Sequence, residues 1–202
     1  MFGYVFSKKK RVQIQNAQKT FDEVNKFART EAFYTELAVP DTMTGRFDLV
    51  SLIAGLIMLR LNTVATEDSQ KCAQIFFDVM FRGFDHSLRE GGIGDLSVPK
   101  HMKRMMQGFQ GRSYAYEAAF VTGKNAEGEV LSHEDKLNIL NRNLYSGALA
   151  ENDPVLGACF EKVSMLSDFV MGLDEALLLE GRLSLPRYES LDINTMNKKS
   201  VA

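Results

Sequence analysis

FFDVMFRGFDHSLREGGIGDLSVPKHMKRMMQGFQGR, residues Phe76 to Arg112, decides the fold. Its apolar residues recur at three- and four-residue spacing on both sides of a glycine-rich turn, which predicts two amphipathic helices joined by that turn. Ala73, Phe77, Met80, Phe81, Phe84 and Leu88 share one face of the first and belong to a core. Gly91, Gly92 and Gly94 end it, because glycine tolerates the left-handed cap that side chains resist. Ser97 and Pro99 start the second, as N-cap and first-turn proline. Val98, Met102, Met105, Phe109, Tyr116 and Phe120 form its apolar stripe.

Four more helices are predicted outward from this pair. One runs from about Gln18 to Leu37, ended by Pro40-Asp41-Thr42. Another, Gly45 to Asn62, is apolar almost all round, as a central buried helix must be. The Phe76 helix itself opens at the capping signal Thr66-Glu67-Asp68-Ser69. A polar loop, GKNAEGEV, precedes a helix from Ser132 to Tyr145, and a last one runs from Asp153 to Glu180. No strand pattern or internal repeat stands out. The expectation is an all-α, single-domain bundle of about six helices with no significant sheet. Residues 1–16 read as a loose basic arm, 17–187 as the helical domain and 188–202 as a frayed tail.

Composition narrows the function. A formal net charge of -2 over 202 residues gives no global attraction to nucleic acid or acidic lipid. DNA is therefore not an expected partner, and an electrostatic partner must be met by a local patch. The two cysteines, Cys72 and Cys159, lie in apolar-periodic segments and read as reduced, buried thiols. The stretch MFGYVFSKKKR places apolar residues before charges, the reverse of a secretory signal. The longest apolar run, Leu49 to Leu59, covers about half of the roughly 20 residues that a spanning helix needs. Neither secretion nor a membrane span is expected. Lys8 to Arg11 reads first as a solvated tail and second as a contact for an anionic surface.

Binding surface is easier to find than chemistry. Opposite the apolar stripe of the Val98 helix lie Lys100, Lys103, Arg104, Gln107, Gly111 and Tyr114. This basic strip, with Arg112 and with Tyr114 as an aromatic anchor, suits an acidic or backbone-rich partner, or is a solvated face. On the preceding helix, Asp78, Arg82, Asp85 and Arg89 place each acid four residues before a base, worth about 0.2–0.5 kcal/mol per pair. That ladder is a salt-bridged surface or a register for a partner. Met102, Met105, Met106, Met165 and Met171 read as core, with an adaptable apolar groove as the second reading. His86, His101 and His133 lack metal-ligand spacing. Gly91-Gly92-Ile93-Gly94 follows a helix rather than a strand and lacks the Gly-Lys-Ser/Thr ending of a phosphate loop. Ser97-Val-Pro-Lys100 matches a Ser-x-x-Lys pattern, but capping explains the serine better. No catalytic residue, metal or cofactor is expected.

Several ordered segments carry a family likeness: Val39-Pro40-Asp41-Thr42, Gly45-Arg46-Phe47-Asp48 and Phe77-Asp78-Val-Met-Phe81, then Leu88-Arg89-Glu90 through Gly94-Asp95-Leu96. Val98-Pro99-Lys100, Leu144-Tyr145 and Asp174-Glu175 through Gly181 complete the set. Over residues 33 to 187 the chain resembles the ubiquinol–cytochrome c chaperone family. That resemblance implies a non-catalytic assembly factor for respiratory complex III, with newly made cytochrome b as client. It implies a small helical co-chaperone or the ribosome exit region as further partners, and peripheral membrane contact. It also implies the cytoplasmic face of the inner membrane, or the mitochondrial matrix in a eukaryote. The chain departs from the family pattern at Ile53-Ala54 and at Gln110-Gly111. The alternatives are a helical adaptor for another membrane-protein or ribosomal client, and a haem-oxygenase-type enzyme using His86 or His101.

Overall fold

The computed structural model describes residues 8–191. Eight helices follow one another: α1 (Lys8–Ala28), α2 (Ala32–Thr35), α3 (Met43–Val64), α4 (Glu67–Glu90), α5 (Val98–Glu117), α6 (His133–Leu144), α7 (Pro154–Met171) and α8 (Glu175–Leu179). A π turn, Ala118–Thr122, extends α5, and a single 3-10 turn, Tyr188–Ser190, comes last. Among the described residues the sole extended pairing is an isolated bridge between Lys124 and Val130. The fold is an all-α bundle.

α3 is the axis, because its apolar middle leaves almost no side for solvent. Leu49, Leu52, Ile53, Ala54, Leu56 and Ile57 are fully buried, and α1, α4, α5, α6, α7 and α8 pack around them. Its length and composition would also let it cross a membrane, yet two-thirds of it is enclosed by its neighbours. Thr42 caps its N-terminus by accepting the Gly45 N–H at 3.0 Å. Gly45 is obligatory for another reason: a Cβ there would sit 2.1 Å from the Pro40 carbonyl oxygen. Gly45→Ala is expected to cost about 2 kcal/mol, read as a lowered urea midpoint at unchanged slope.

The capping predictions divide. Thr66, Ser132 and Asp153 cap α4, α6 and α7 through their side chains, Ser132 in a full capping box with Asp135. At the end of α4, Gly92 takes the left-handed conformation (φ 82°). Its N–H and that of Ile93 return to Arg89 O and Leu88 O, both at 3.0 Å, which satisfies the helix-end carbonyls. Ser97 does not cap α5 with its side chain. Its backbone turns early, the N–H donating to Gly94 O at 2.7 Å.

Two predicted helices are broken, each to deliver a side chain to the core. The chain leaves α1 after Ala28 so that Phe33 on α2 can meet Phe27 and Tyr188 edge-on, with centroids 5.2 and 5.1 Å apart. The Tyr34 hydroxyl closes that turn by donating to Ala28 O at 2.7 Å. The predicted Asp153–Glu180 helix breaks between α7 and α8, where Leu173 is buried and its carbonyl accepts both Nε and Nη2 of Arg60 at 2.9 and 2.7 Å.

The outer segments also differ from expectation. Residues 8–16 of the expected loose arm are the first turns of α1, whose Asn16 side chain donates to Leu179 O at 3.0 Å. The cationic run at its start masks the helical spacing of Ile14, Ala17 and Phe21. Residues 188–191 of the expected tail are ordered. Tyr188 is buried and donates to Glu36 at 3.1 Å, and Leu191 O accepts the Lys162 ammonium at 2.8 Å. Residues 1–7 and 192–202, on which the rest of the arm and tail predictions fall, lie outside the described residues.

Candidate functional site

α5 presents two different surfaces along its solvent side. In its first half Lys100, Lys103 and Arg104 are exposed, and none forms an ion pair among the described residues. In its second half Met106 is 39% exposed and Tyr114 is 67% exposed. Beside them opens a cleft of about 300 Å³ between α3, α4 and α5, lined by Gly55, Met58, Phe77, Met106, Gln110 and Tyr114. Phe77 of α4 and Phe109 of α5, both in its lining, lie edge-on at 5.9 Å, and the buried Phe81 backs Phe109 at 5.7 Å. Exposed charges thus lead into an apolar recess, the combination found at protein interfaces.

Gly111 is exposed, and a Cβ there would meet nothing within 4 Å. No neighbour within the chain requires this glycine. Gly108 is different, because a Cβ would come within 2.7 Å of Arg112 Nη1. It leaves the path along which Arg112 turns inward.

Arg112 is therefore not part of the outward strip, contrary to the sequence reading. Its Nη2 lies 2.8 Å from Oδ1 of Asp48, a carboxylate only 2% exposed on α3. Its Nε donates to Asn143 O at 3.2 Å, and its guanidinium lies 5.8 Å from the Phe47 ring. The Asp48 contact is a close ion pair off the line of a hydrogen bond. Among the described residues four buried side-chain atoms lack a hydrogen-bond partner: Asp48 Oδ1, Ser51 Oγ, Ser113 Oγ and Tyr116 Oη. All four belong to α3 or α5, so a polar seam runs through the contact of the two helices. Burial pushes the Asp48 carboxyl up to about 6, opposed by Arg112, and raises the Tyr116 phenol as well. This seam escaped the sequence reading. Its one signal was an acid and a serine three residues apart, Asp48 and Ser51, inside a helix otherwise apolar all round.

The ladder on α4 forms only in part. Arg89 Nε meets Asp85 at 2.7 Å and the same guanidinium pairs with Asp95, so it ties the helix to the following turn. That bond holds the Asp85 carboxyl below the usual carboxylate range. Asp78 instead accepts from Gln74 at 2.8 Å, and Arg82 is exposed without an ion pair among the described residues. The methionines are dispersed: Met165 is buried, Met171 packs against the core, and Met105 and Met106 line different clefts. Cys159 is buried and Cys72 half-buried, both free, with thiols pushed up to about 11 by burial. His86 sits on the outer side of α4, 3.2 Å from Glu90.

α5 thus carries exposed cations beside an apolar cleft, a composition that suits a binding surface. The chain belongs to the ubiquinol-cytochrome C chaperone family, whose model matches residues 35–177. Its role is accordingly that of a chaperone for complex III, and family membership implies a chaperone rather than an enzyme. The crystal structure of the Cbp3 homolog from Brucella abortus superposes with a TM-score of 0.76 at 28% identity, covering 93% of this chain and 98% of that one. No curated protein sequence matches the chain. Of the departures from the family pattern, Ile53 and Ala54 are wholly buried in α3, whereas Gln110 and Gly111 are exposed, Gln110 on the cleft wall.

Proposed function

We propose that the protein binds newly made cytochrome b and holds it for assembly into complex III. The observation that supports this reading is the solvent side of α5, where unpaired Lys100, Lys103 and Arg104 lead to Met106, Tyr114 and the apolar cleft. A nascent membrane protein offers apolar helices bounded by polar loops, and such a client needs both parts of that surface. The work takes place at the cytoplasmic face of the inner membrane, or in the matrix of a eukaryote, by peripheral contact with the membrane. A small helical co-chaperone or the ribosome exit region would deliver the client.

The test is affinity capture of the tagged protein from mildly solubilised membranes, with mass spectrometry of what it retains. Enrichment of cytochrome b, greatest in cells blocked late in complex III assembly, is the expected result. A clean capture of other membrane or ribosomal proteins without cytochrome b would move the function to an adaptor. Within the captured complex, Tyr114→Ala is expected to lower cytochrome b recovery about tenfold, as loss of an exposed aromatic anchor does, while the melting temperature stays unchanged.

A further inference from the structure

We propose that a second cleft, where the start of α3 meets α1, α4 and α5, docks a partner polypeptide that inserts one large apolar side chain flanked by acidic residues. It lies apart from the α5 surface, and its test needs no cytochrome b.

The cleft encloses about 210 Å³. Cofactors and drug-sized ligands occupy roughly 300–1,000 Å³, so this recess is too small for one of them. It suits the single buried anchor residue around which protein interfaces are organised. Its walls are apolar and partly aromatic: Phe47 and Phe84 meet edge-on at 5.0 Å, with Val50 and Leu88 behind them. Met43, 61% exposed, stands at the lip. Among the described residues it stands open to solvent.

Charge identifies the occupant's surroundings. Arg29 and Arg46 both line the cleft and both are exposed. Arg46 is positioned, its guanidinium 5.3 Å from the Tyr34 ring and its Nε on Asp41. Arg29 forms no ion pair among the described residues. Two guanidinium groups against one carboxylate leave the rim net positive, and the N-terminus of the long α3 helix adds to that potential. Exposed arginine beside aromatic and methionine surface is the composition of an interface core. A carboxylate next to the inserted side chain would find a planar donor already oriented by Tyr34 and Asp41.

The chain contains no tryptophan, so a tryptophan in a peptide reports its own burial. The probe is an acetylated, amidated peptide of sequence EDWLED, with QNWLQN as its uncharged counterpart. The expected result with the full chain is a saturable blue shift for the acidic peptide, weakened by added salt. Binding should fall at least tenfold in Arg29→Glu/Arg46→Glu, and again in Ser87→Phe, which places a bulky side chain on the wall of the cleft and leaves both arginines in the sequence. Charge reversal of Lys100, Lys103 and Arg104 should weaken it far less than reversal of the two arginines, and thermal melts monitored by circular dichroism verify that each variant is folded. Four outcomes overturn the proposal. They are no saturable shift at millimolar peptide, equal binding of QNWLQN, binding that survives both the arginine and the Ser87 variants, and displacement of the peptide by sodium decanoate at stoichiometric concentration, which would assign the cleft to an acyl chain.

Discussion

Arg112→Ala is expected to destabilise the bundle by about 3–5 kcal/mol at pH 7.5, the cost of stranding a buried charge. The variant leaves the Asp48 carboxylate inside the contact of α3 and α5 with no counter-charge, beside three more polar atoms that already lack hydrogen-bond partners. The pH dependence separates this cause from lost packing. In the wild-type protein the folded Asp48 pKa, about 6, stands above its ordinary value of 3.8. The folded state therefore holds this proton more tightly than the unfolded chain, and its contribution is fully present below about pH 4 and lost as pH rises through 6. Without Arg112 the folded pKa rises further, because the opposing charge is gone. Asp48 can then fold as a neutral acid in mildly acidic solution. Urea titrations should show a much smaller penalty at pH 5 than at pH 7.5. A penalty equal at both values would mean that the arginine acts through its packed stem alone, and Asp48→Asn in the same background should flatten the profile.

Reversing Lys100, Lys103 and Arg104 together to glutamate is expected to lower cytochrome b capture at least tenfold without changing the melting temperature. All three are exposed and make no ion pair among the described residues, so the folded chain loses little. Charges at the rim of an interface act mainly on approach and orientation, and hence on salt dependence. Wild-type capture should weaken with ionic strength, and the variant's residual capture should not. Intact capture by the folded variant would remove the basic strip from the client surface and leave the cleft at Met106 and Tyr114 as the whole of it.

Most helices were legible because their apolar spacing and caps agree, as at Thr66, Ser132 and Asp153. The interruption after Ala28 was not, since it is set by where Phe33 must go, whereas the one before Asp174 carries local signals, Gly172 as C-cap of α7 and Asp174 as N-cap of α8, inside an apolar spacing that runs on past them. The start of α1 was misread because four consecutive cations outweigh the apolar spacing that follows. In the candidate site, periodicity located the outward side of α5 correctly at Lys100, Lys103, Arg104 and Tyr114. Arg112 was assigned to it through charge alone, although one further residue turns a helix by about 100° and carries it toward α3. Its partner left only the faint signal of Asp48 and Ser51 within an apolar helix, which marks a buried acid without naming the base that meets it. The α4 ladder shows the same limit: spacing permits Asp78 to meet Arg82, yet Gln74 takes the carboxylate instead.

The enclosure of α3 has a cellular consequence. This helix is long and apolar enough for a bilayer, and only the neighbouring helices keep it in water-free protein instead. An unfolded copy therefore displays to the insertion machinery the same kind of signal that a client's helices display. Variants that open the bundle, at Gly45 or Arg112, are expected to go astray in the membrane as well as to lose their grip on other proteins.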